Sequence, residues 1–165
     1  MPPRHSYNHL VLDFSALGVT PDELASLRRA AQGARLANHS PYSKFVVLAA
    51  VWTAKGVFGG TNVENVNFSL TKHAEEVAML SALLEGGSIS KLSVAALYVT
   101  GASPCGSCRQ FLAEFACPDI LVLVDRVPQE VVKSGDLASL GTDSVEAWSL
   151  RELLPAAFNP GELSG

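Results

Sequence analysis

Ser103-Pro104-Cys105-Gly106-Ser107-Cys108-Arg109-Gln110 places two thiols three positions apart, directly after a proline and directly ahead of the apolar pair Phe111-Leu112. This is a metal-ligand spacing at a predicted helix start, because residues i and i+3 share one side of a helix and can aim two sulfurs at one point. Gly106 is expected to leave room between them, and the positive end of the helix dipole to favour their thiolate forms. Two cysteines do not fill a tetrahedral zinc shell, so a third ligand must come from elsewhere. The best candidate is His73, which also stands at a predicted helix start after a loop, with Glu75 two residues beyond it. A Cys-x-x-Cys pair near one histidine also serves structural zinc sites, but those close with a fourth protein ligand. Cys117, His5, His9 and His39 all lack ligand spacing. The expected site is therefore open, with three protein ligands and a fourth position for water.

The elements that must position these residues are legible from periodicity and capping. Thr20-Pro21-Asp22-Glu23 combines a threonine cap, a proline at the first helical position and a capping-box glutamate. The stripe Leu24, Leu27, Ala31, Ala34, Leu36 then predicts a helix up to Asn38, broken by His39-Ser40-Pro41-Tyr42-Ser43. Phe45 to Thr53 reads as a buried strand, and Ala54-Lys55-Gly56 as the turn into a second strand, Val57 to Val63. A second helix begins at His73 or just before it and stops at Gly86-Gly87. A strand over Leu92–Thr100, a helix over Cys105–Phe115 and a strand over Ile120–Val124 follow. Residues 126–143 form a meandering connection without an assigned element, ahead of a weak strand at Val145–Trp148 and a short helix from Leu150 to about Ala157. Residues 1–19 lack a sustained period and read as an irregular segment. The alternation predicts one domain over residues 1–165, a three-layer α/β/α arrangement with a mixed five-stranded sheet and helices on both faces.

Composition bounds the function. Apolar residues make up 48% and charged residues 17% of 165 positions, which suits one domain with a sizeable core. A net charge of −4 repels a phosphate backbone and an anionic lipid surface, so a free small molecule is the expected substrate, with neither nucleic acid nor membrane as partner. The apolar run from Phe45 to Trp52 is too short to span a bilayer, and Met1-Pro2-Pro3-Arg4-His5 leads into no apolar signal segment. Three cysteines, two of them three apart, point to metal or redox chemistry in a reducing compartment rather than a disulfide framework, and the cytoplasm is the expected location.

His73-Ala74-Glu75 with Pro104-Cys105-Gly106-Ser107-Cys108-Arg109-Gln110 resembles the zinc-dependent cytidine deaminases. The resemblance extends to Pro41-Tyr42-Ser43-Lys44-Phe45, to Asn62-Val63-Glu64-Asn65 and to Leu153-Leu154-Pro155-Ala156-Ala157-Phe158, covering the chain from about residue 21 to 163. It implies a cytidine deaminase-like fold, one Zn2+ per chain held by His73, Cys105 and Cys108, and hydrolysis of cytidine and deoxycytidine to uridine and deoxyuridine with release of ammonia, as in pyrimidine salvage. Glu75 is then the catalytic proton shuttle between the attacking water, N3 of the base and the departing ammonia. The resemblance further implies that Asn62 and Glu64 hold the ribose hydroxyls, that Phe45 stacks on the base, and that the backbone at Ala74 meets the pyrimidine carbonyl. Phe158 is implied to reach a neighbouring subunit's site, hence a homo-oligomer, a tetramer on chain length, with a dimer as the alternative.

Two departures stand out. The small tetrameric members usually carry cysteine at the position of His73 and an arginine just after the glutamate, where this chain has Glu76. Zinc with three thiolates carries about −1, whereas two thiolates and an imidazole leave it near neutral, so the two replacements are expected to be coupled. Leu48 stands where the family has glycine and is expected to crowd the sheet or the pocket floor. It keeps open a second activity, deamination of a modified cytosine nucleoside such as a nucleoside antibiotic. A polynucleotide deaminase is the third reading, opposed by the acidic balance and by the Asn62/Glu64 pair.

Overall fold

A computed structural model describes residues 18–86, 94–116 and 119–158. The irregular segment expected before Val19 lies outside the described residues except for its last two positions, and His5, His9 and Cys117 lie outside them as well. Thr20 opens α1 (Pro21–Ala34) with both halves of the capping box: its Oγ1 accepts from Glu23 N at 3.2 Å, and Glu23 Oε2 accepts from Thr20 N at 2.7 Å. A 3-10 turn, Arg35–Ala37, finishes this first helical run.

The sheet consists of β1 (Leu48–Thr53), β2 (Gly56–Thr61), β3 (Val94–Thr100), β4 (Leu121–Asp125) and β5 (Val145–Ser149). Its order is β2-β1-β3-β4-β5; β3 and β4 run parallel and every other neighbouring pair is antiparallel, so the sheet is mixed and five-stranded as expected. The parallel step is made by a crossover through α3 (Gly106–Phe115), the connection that parallel strands require. Alternation along β1 divides the core. Ala49 and Val51 face α2 (Ala74–Gly86), α3 and α5 (Leu150–Leu153), whereas Leu48 and Ala50 face α1 and α4 (Gln129–Ser134).

Leu48 therefore does not crowd the pocket floor. It is fully buried on the α1 side with Leu24, Leu27 and Ala31, where a glycine would leave a hole, and the functional cleft opens on other residues.

The ladder of β1 begins three residues later than the composition of Phe45–Thr53 suggests. Backbone groups of residues 45–47 are met largely by side chains. Phe45 O and Val47 N pair with the Asn62 amide at 2.9 Å each, and Val46 N and O pair with the Gln129 amide, again at 2.9 Å each. The unassigned connection likewise has structure: α4 and a 3-10 turn, Leu137–Ser139. It is tied down by Arg28, which donates to Leu140 O at 2.6 Å and Gly141 O at 2.9 Å while pairing with Asp125 Oδ2 at 2.8 Å. Tyr98 donates its hydroxyl to the same carboxylate at 2.8 Å, and burial, with Asp125 beside it, pushes the phenol far above its usual range. A buried charge pair holds only where its remaining hydrogen-bonding groups are met, and these are.

Candidate active site

His73 reaches the site through a closed loop. Val63 and Lys72 exchange both backbone hydrogen bonds at 2.9 Å, so the Asn62–Glu64 segment and the start of α2 leave the sheet edge side by side. His73 is the residue before α2, and Glu76 Oε2 accepts from its backbone N at 3.2 Å, a side-chain cap on an otherwise unpaired helix-end donor. Glu75 is the second residue of the helix, within the first turn, where both side chains reach one centre.

Close approach of α2 to the sheet requires Gly60, whose added Cβ would stand 2.3 Å from Ala78 N and 2.5 Å from Ala74 O. Gly59 does the same on the opposite face, 2.1 Å from Ala30 O, so two adjacent glycines let α1 and α2 close on β2 from both sides.

From the other side comes α3, with Cys105 at its N-cap and Cys108 buried in its first turn. Arg109 Nε donates to Pro104 O at 2.7 Å and its Nη1 to Leu153 O at 2.8 Å, which braces the cysteine loop against the end of α5. A Cβ at Gly106 would meet nothing within 4 Å, so the room expected to be its purpose is not needed.

His73 Nδ1 lies 3.1 Å from Cys108 Sγ and 3.3 Å from Cys105 Sγ, and the two sulfurs are 3.6 Å apart. A tetrahedral zinc with bonds of about 2.3 Å to sulfur and about 2.0–2.1 Å to nitrogen sets such atoms about 3.5–3.8 Å apart. The two sulfurs stand at that spacing and the imidazole nitrogen a few tenths of an ångström inside it, so a small outward shift of His73 fits the three donors to zinc, and among the described residues no fourth His, Cys, Asp or Glu joins the cluster. The helix dipole does not decide the state of Cys108 as expected. Burial, followed by the nearby Glu75 carboxylate and Cys105, pushes its thiol far upward, a penalty that a bound cation removes. Glu75, only 6% exposed, has its carboxyl raised by burial, against the opposing pull of its own backbone N–H and of His73.

His73, Glu75 and Cys105 line a cavity of about 290 Å³ together with Phe45, Asn62, Glu64 and Ala74, and Cys108 is buried behind it. Asn62 Oδ1 accepts from Val47 N and from Asn38 Nδ2, both at 2.9 Å, which fills its two lone pairs. One Nδ2 hydrogen goes to Phe45 O, so the pocket is offered a single donor. Glu64 Oε2 accepts from Tyr42 N at 2.9 Å and Ser43 N at 3.2 Å, and Oε1 accepts from the Ser43 hydroxyl. That hydroxyl bond, more than the backbone donors, holds the Glu64 carboxyl below its usual range. The turn closes through Lys44 at φ 59°, a left-handed position for a residue with a side chain.

Phe158 does not line the cavity; its ring is 53% exposed and its carbonyl oxygen accepts from Gln110 Nε2 at 2.8 Å. Sequence reasoning missed Ser43, Gln129 and the Gly59-Gly60 pair. Only Ser43, inside a quoted motif, carried a signal.

A three-layer α/β protein with an open His-Cys-Cys cluster and a buried carboxyl beside it defines a class, the hydrolytic enzymes built on a single zinc. Comparison with known proteins narrows the class. Residues 22–124 match the family model described as the cytidine and deoxycytidylate deaminase zinc-binding region. The chain is 35% identical over 133 residues to the cytidine deaminase of Sporosarcina psychrophila, covering 79% of this chain and 88% of that one. It is also 35% identical to the probable cytidine deaminase of Dictyostelium discoideum, covering 86% and 88% respectively. The crystal structure of the Burkholderia pseudomallei cytidine deaminase superposes with a TM-score of 0.61 at 36% identity, covering 80% of this chain and 96% of that one. The chain belongs to the zinc-binding cytidine and deoxycytidylate deaminase family.

Proposed function

We propose that this protein hydrolytically deaminates free cytidine and deoxycytidine, as in pyrimidine salvage. The observation that carries the reading is the position of Glu75, a buried carboxyl beside three zinc-fitting donors in a cavity that also presents Asn62 and Glu64. Bound there by His73, Cys105 and Cys108, zinc supplies the Lewis acidity that lets water act as a nucleophile near neutral pH. Glu75 takes one proton of the attacking water and delivers it to N3 of the base, then takes the second from the new C4 hydroxyl and passes it to the amino group, which leaves as ammonia while C4=O forms. Its raised affinity for a proton, the result of burial, suits a group that must hold one between steps.

Phe45 stacks on the base, and the Ala74 backbone at the helix start meets the pyrimidine carbonyl. Asn62 donates its remaining N–H to one ribose hydroxyl while Glu64 accepts from another. The carboxylate of Glu64 disfavours a phosphate, and among the described residues lining the cavity there is no Lys or Arg to receive one. Leu48, lodged on the far face of the sheet, gives no support to a modified-cytosine substrate.

The enzyme acts in the cytoplasm, where a reducing environment keeps both cysteines available as ligands. No helix of the described residues is long and apolar enough to cross a membrane. It works as a homo-oligomer, a tetramer in preference to a dimer, with Phe158 directed to a neighbouring copy. Exposed Val66, Phe68 and Leu70, in the stretch that leads into the cavity-lining Thr71, support this, since a second copy would cover them.

An ultraviolet assay on cytidine, deoxycytidine, deoxycytidine monophosphate and single-stranded DNA, with and without a chelator, tests the reading. Zinc-dependent turnover of the two nucleosides is expected. Activity that survives full zinc removal, or is confined to the nucleotide or polynucleotide, would overturn it.

A further inference from the structure

We propose that Gln129 is a positioning residue for Phe45, a role that rests on the nucleoside deaminase reading and adds to it the device that holds the stacking ring. Phe45 is 40% exposed, so packing alone does not orient its ring. Its orientation depends on the backbone that carries it, and ahead of Leu48 that backbone meets the neighbouring strand only at Val47 O, which accepts from Asn62 N at 3.3 Å.

Gln129 supplies a partner for Val46. Its Oε1 accepts from Val46 N and its Nε2 donates to Val46 O, both at 2.9 Å, so the amide imitates an adjoining strand. Asn62 grips the flanking Phe45 O and Val47 N. The two amides together hold the segment at four consecutive positions of its hydrogen-bonding backbone. Gly101 completes the contact: a Cβ built there would lie 3.5 Å from Phe45 Cζ and 3.6 Å from Gln129 Nε2. The ring and the amide thus both flank the loop that runs on to the cysteine pair.

The anchor itself is rigid. Gln129 is the first residue of α4, whose Val132 is fully buried in the core beneath α1. Glu75 and the zinc donors stand on different elements, α2 and α3, so loosening Val46 disturbs substrate placement without moving the reacting groups. Stacking is shared by ground and transition states, and its loss therefore falls on KM rather than kcat.

Two variants test the proposal. Gln129→Met keeps the length and removes the pair; KM for cytidine is expected to rise about tenfold with kcat within about twofold. Zinc content should stay unchanged, and the Val46 amide should exchange with solvent faster than in the wild-type protein. Gln129→Glu should resemble it at neutral pH. As the pH falls and the carboxyl takes up a proton, its O–H can donate to Val46 O while its C=O accepts from Val46 N, so the KM ratio to wild type should return toward one. A simple loss of stability would lower kcat and zinc content together, with no recovery in acid. Either that pattern, or unchanged KM and unchanged Val46 exchange in Gln129→Met, overturns the role. A wild-type protein inactive on cytidine defeats the deaminase reading instead, and the exchange measurement still reports on the grip.

Discussion

Asn62 Nδ2 donates to the carbonyl oxygen of Phe45 at 2.9 Å, so the residue assigned to the ribose also clamps the residue assigned to the base. Removing it therefore has two separable effects. Asn62→Ala leaves Phe45 O and Val47 N without their side-chain partner, while Asn38 Nδ2 keeps Thr61 Oγ1 and the Asn62 backbone carbonyl, and a loss of about 2–4 kcal/mol in unfolding free energy is expected. Asn62→Asp keeps the acceptor but faces Phe45 O with an oxygen, so it should fall between wild type and Asn62→Ala in urea denaturation. Both should raise KM for cytidine.

Glu75→Gln separates metal binding from proton transfer. The amide keeps the shape of the side chain and is not among the three donors, so zinc content by atomic absorption should match wild type. Turnover should fall by roughly 10²–10⁴-fold, the usual worth of a positioned acid–base group. Activity within tenfold of wild type would remove Glu75 from the reaction.

His73→Cys and Glu76→Arg test the coupled departures. A third thiolate brings the zinc site to about −1, and Glu76, already capping His73 N at 3.2 Å, adds a further negative charge nearby. His73→Cys alone is expected to retain zinc and lose most activity, and the added Glu76→Arg to recover part of it. Loss of the Glu76 cap should itself cost about 1 kcal/mol in thermal unfolding. Equal turnover in the single and double variants would sink the coupling.

Two glycines make opposite predictions. Gly60→Ala forces β2 away from the backbone of Ala74 and Ala78, with an expected cost of about 1–3 kcal/mol and weaker zinc retention because His73 moves with α2. Gly106→Ala meets nothing within 4 Å and should leave activity intact, with stability unchanged or raised by up to about 1 kcal/mol from helix propensity. Thermal melts of the pair, with zinc analysis, check both.

The pH dependence of stability should carry a mark of Glu64. Its carboxyl is held below the ordinary value of 4.5, chiefly by the Ser43 hydroxyl. A group depressed in the folded state contributes stability that is fully present above its unfolded value and is lost as the pH falls through the folded one. The difference in unfolding free energy between wild type and Glu64→Gln should therefore be constant above the ordinary carboxylate range and shrink on acidification below it. A difference that grows on acidification would contradict the hydrogen-bonding arrangement.

How far the site was legible in the sequence depends on which bonds make it. The zinc donors and Glu75 were visible because ligand spacing and helix starts are local: Cys105 and Cys108 are separated by one helical turn, and His73 precedes its helix by one residue. Capping likewise located α1, since Thr20 and Glu23 satisfy each other within three positions. The strand at Phe45 was read too long because β-branched and aromatic composition reports extended backbone, and cannot tell whether its partner is another strand or a glutamine 83 residues away. Whether Leu48 faced the sheet packing or the pocket floor stayed open for a related reason. Alternation says that neighbours point oppositely, but which side faces the pocket follows from where α1 and α2 settle.

By itself, then, the sequence determined the chemistry: two thiols, an imidazole and a carboxylate at helix starts, in an acidic chain whose strands and helices alternate. Tertiary structure alone decided how they are held. The Val63–Lys72 exchange that brings the Asn62–Glu64 segment beside α2, the glycine contacts that seat α2, and the amide pairs of Asn62 and Gln129 around Phe45 all join residues distant along the chain. Such contacts form only after the chain has closed its long loops, and no local propensity records them.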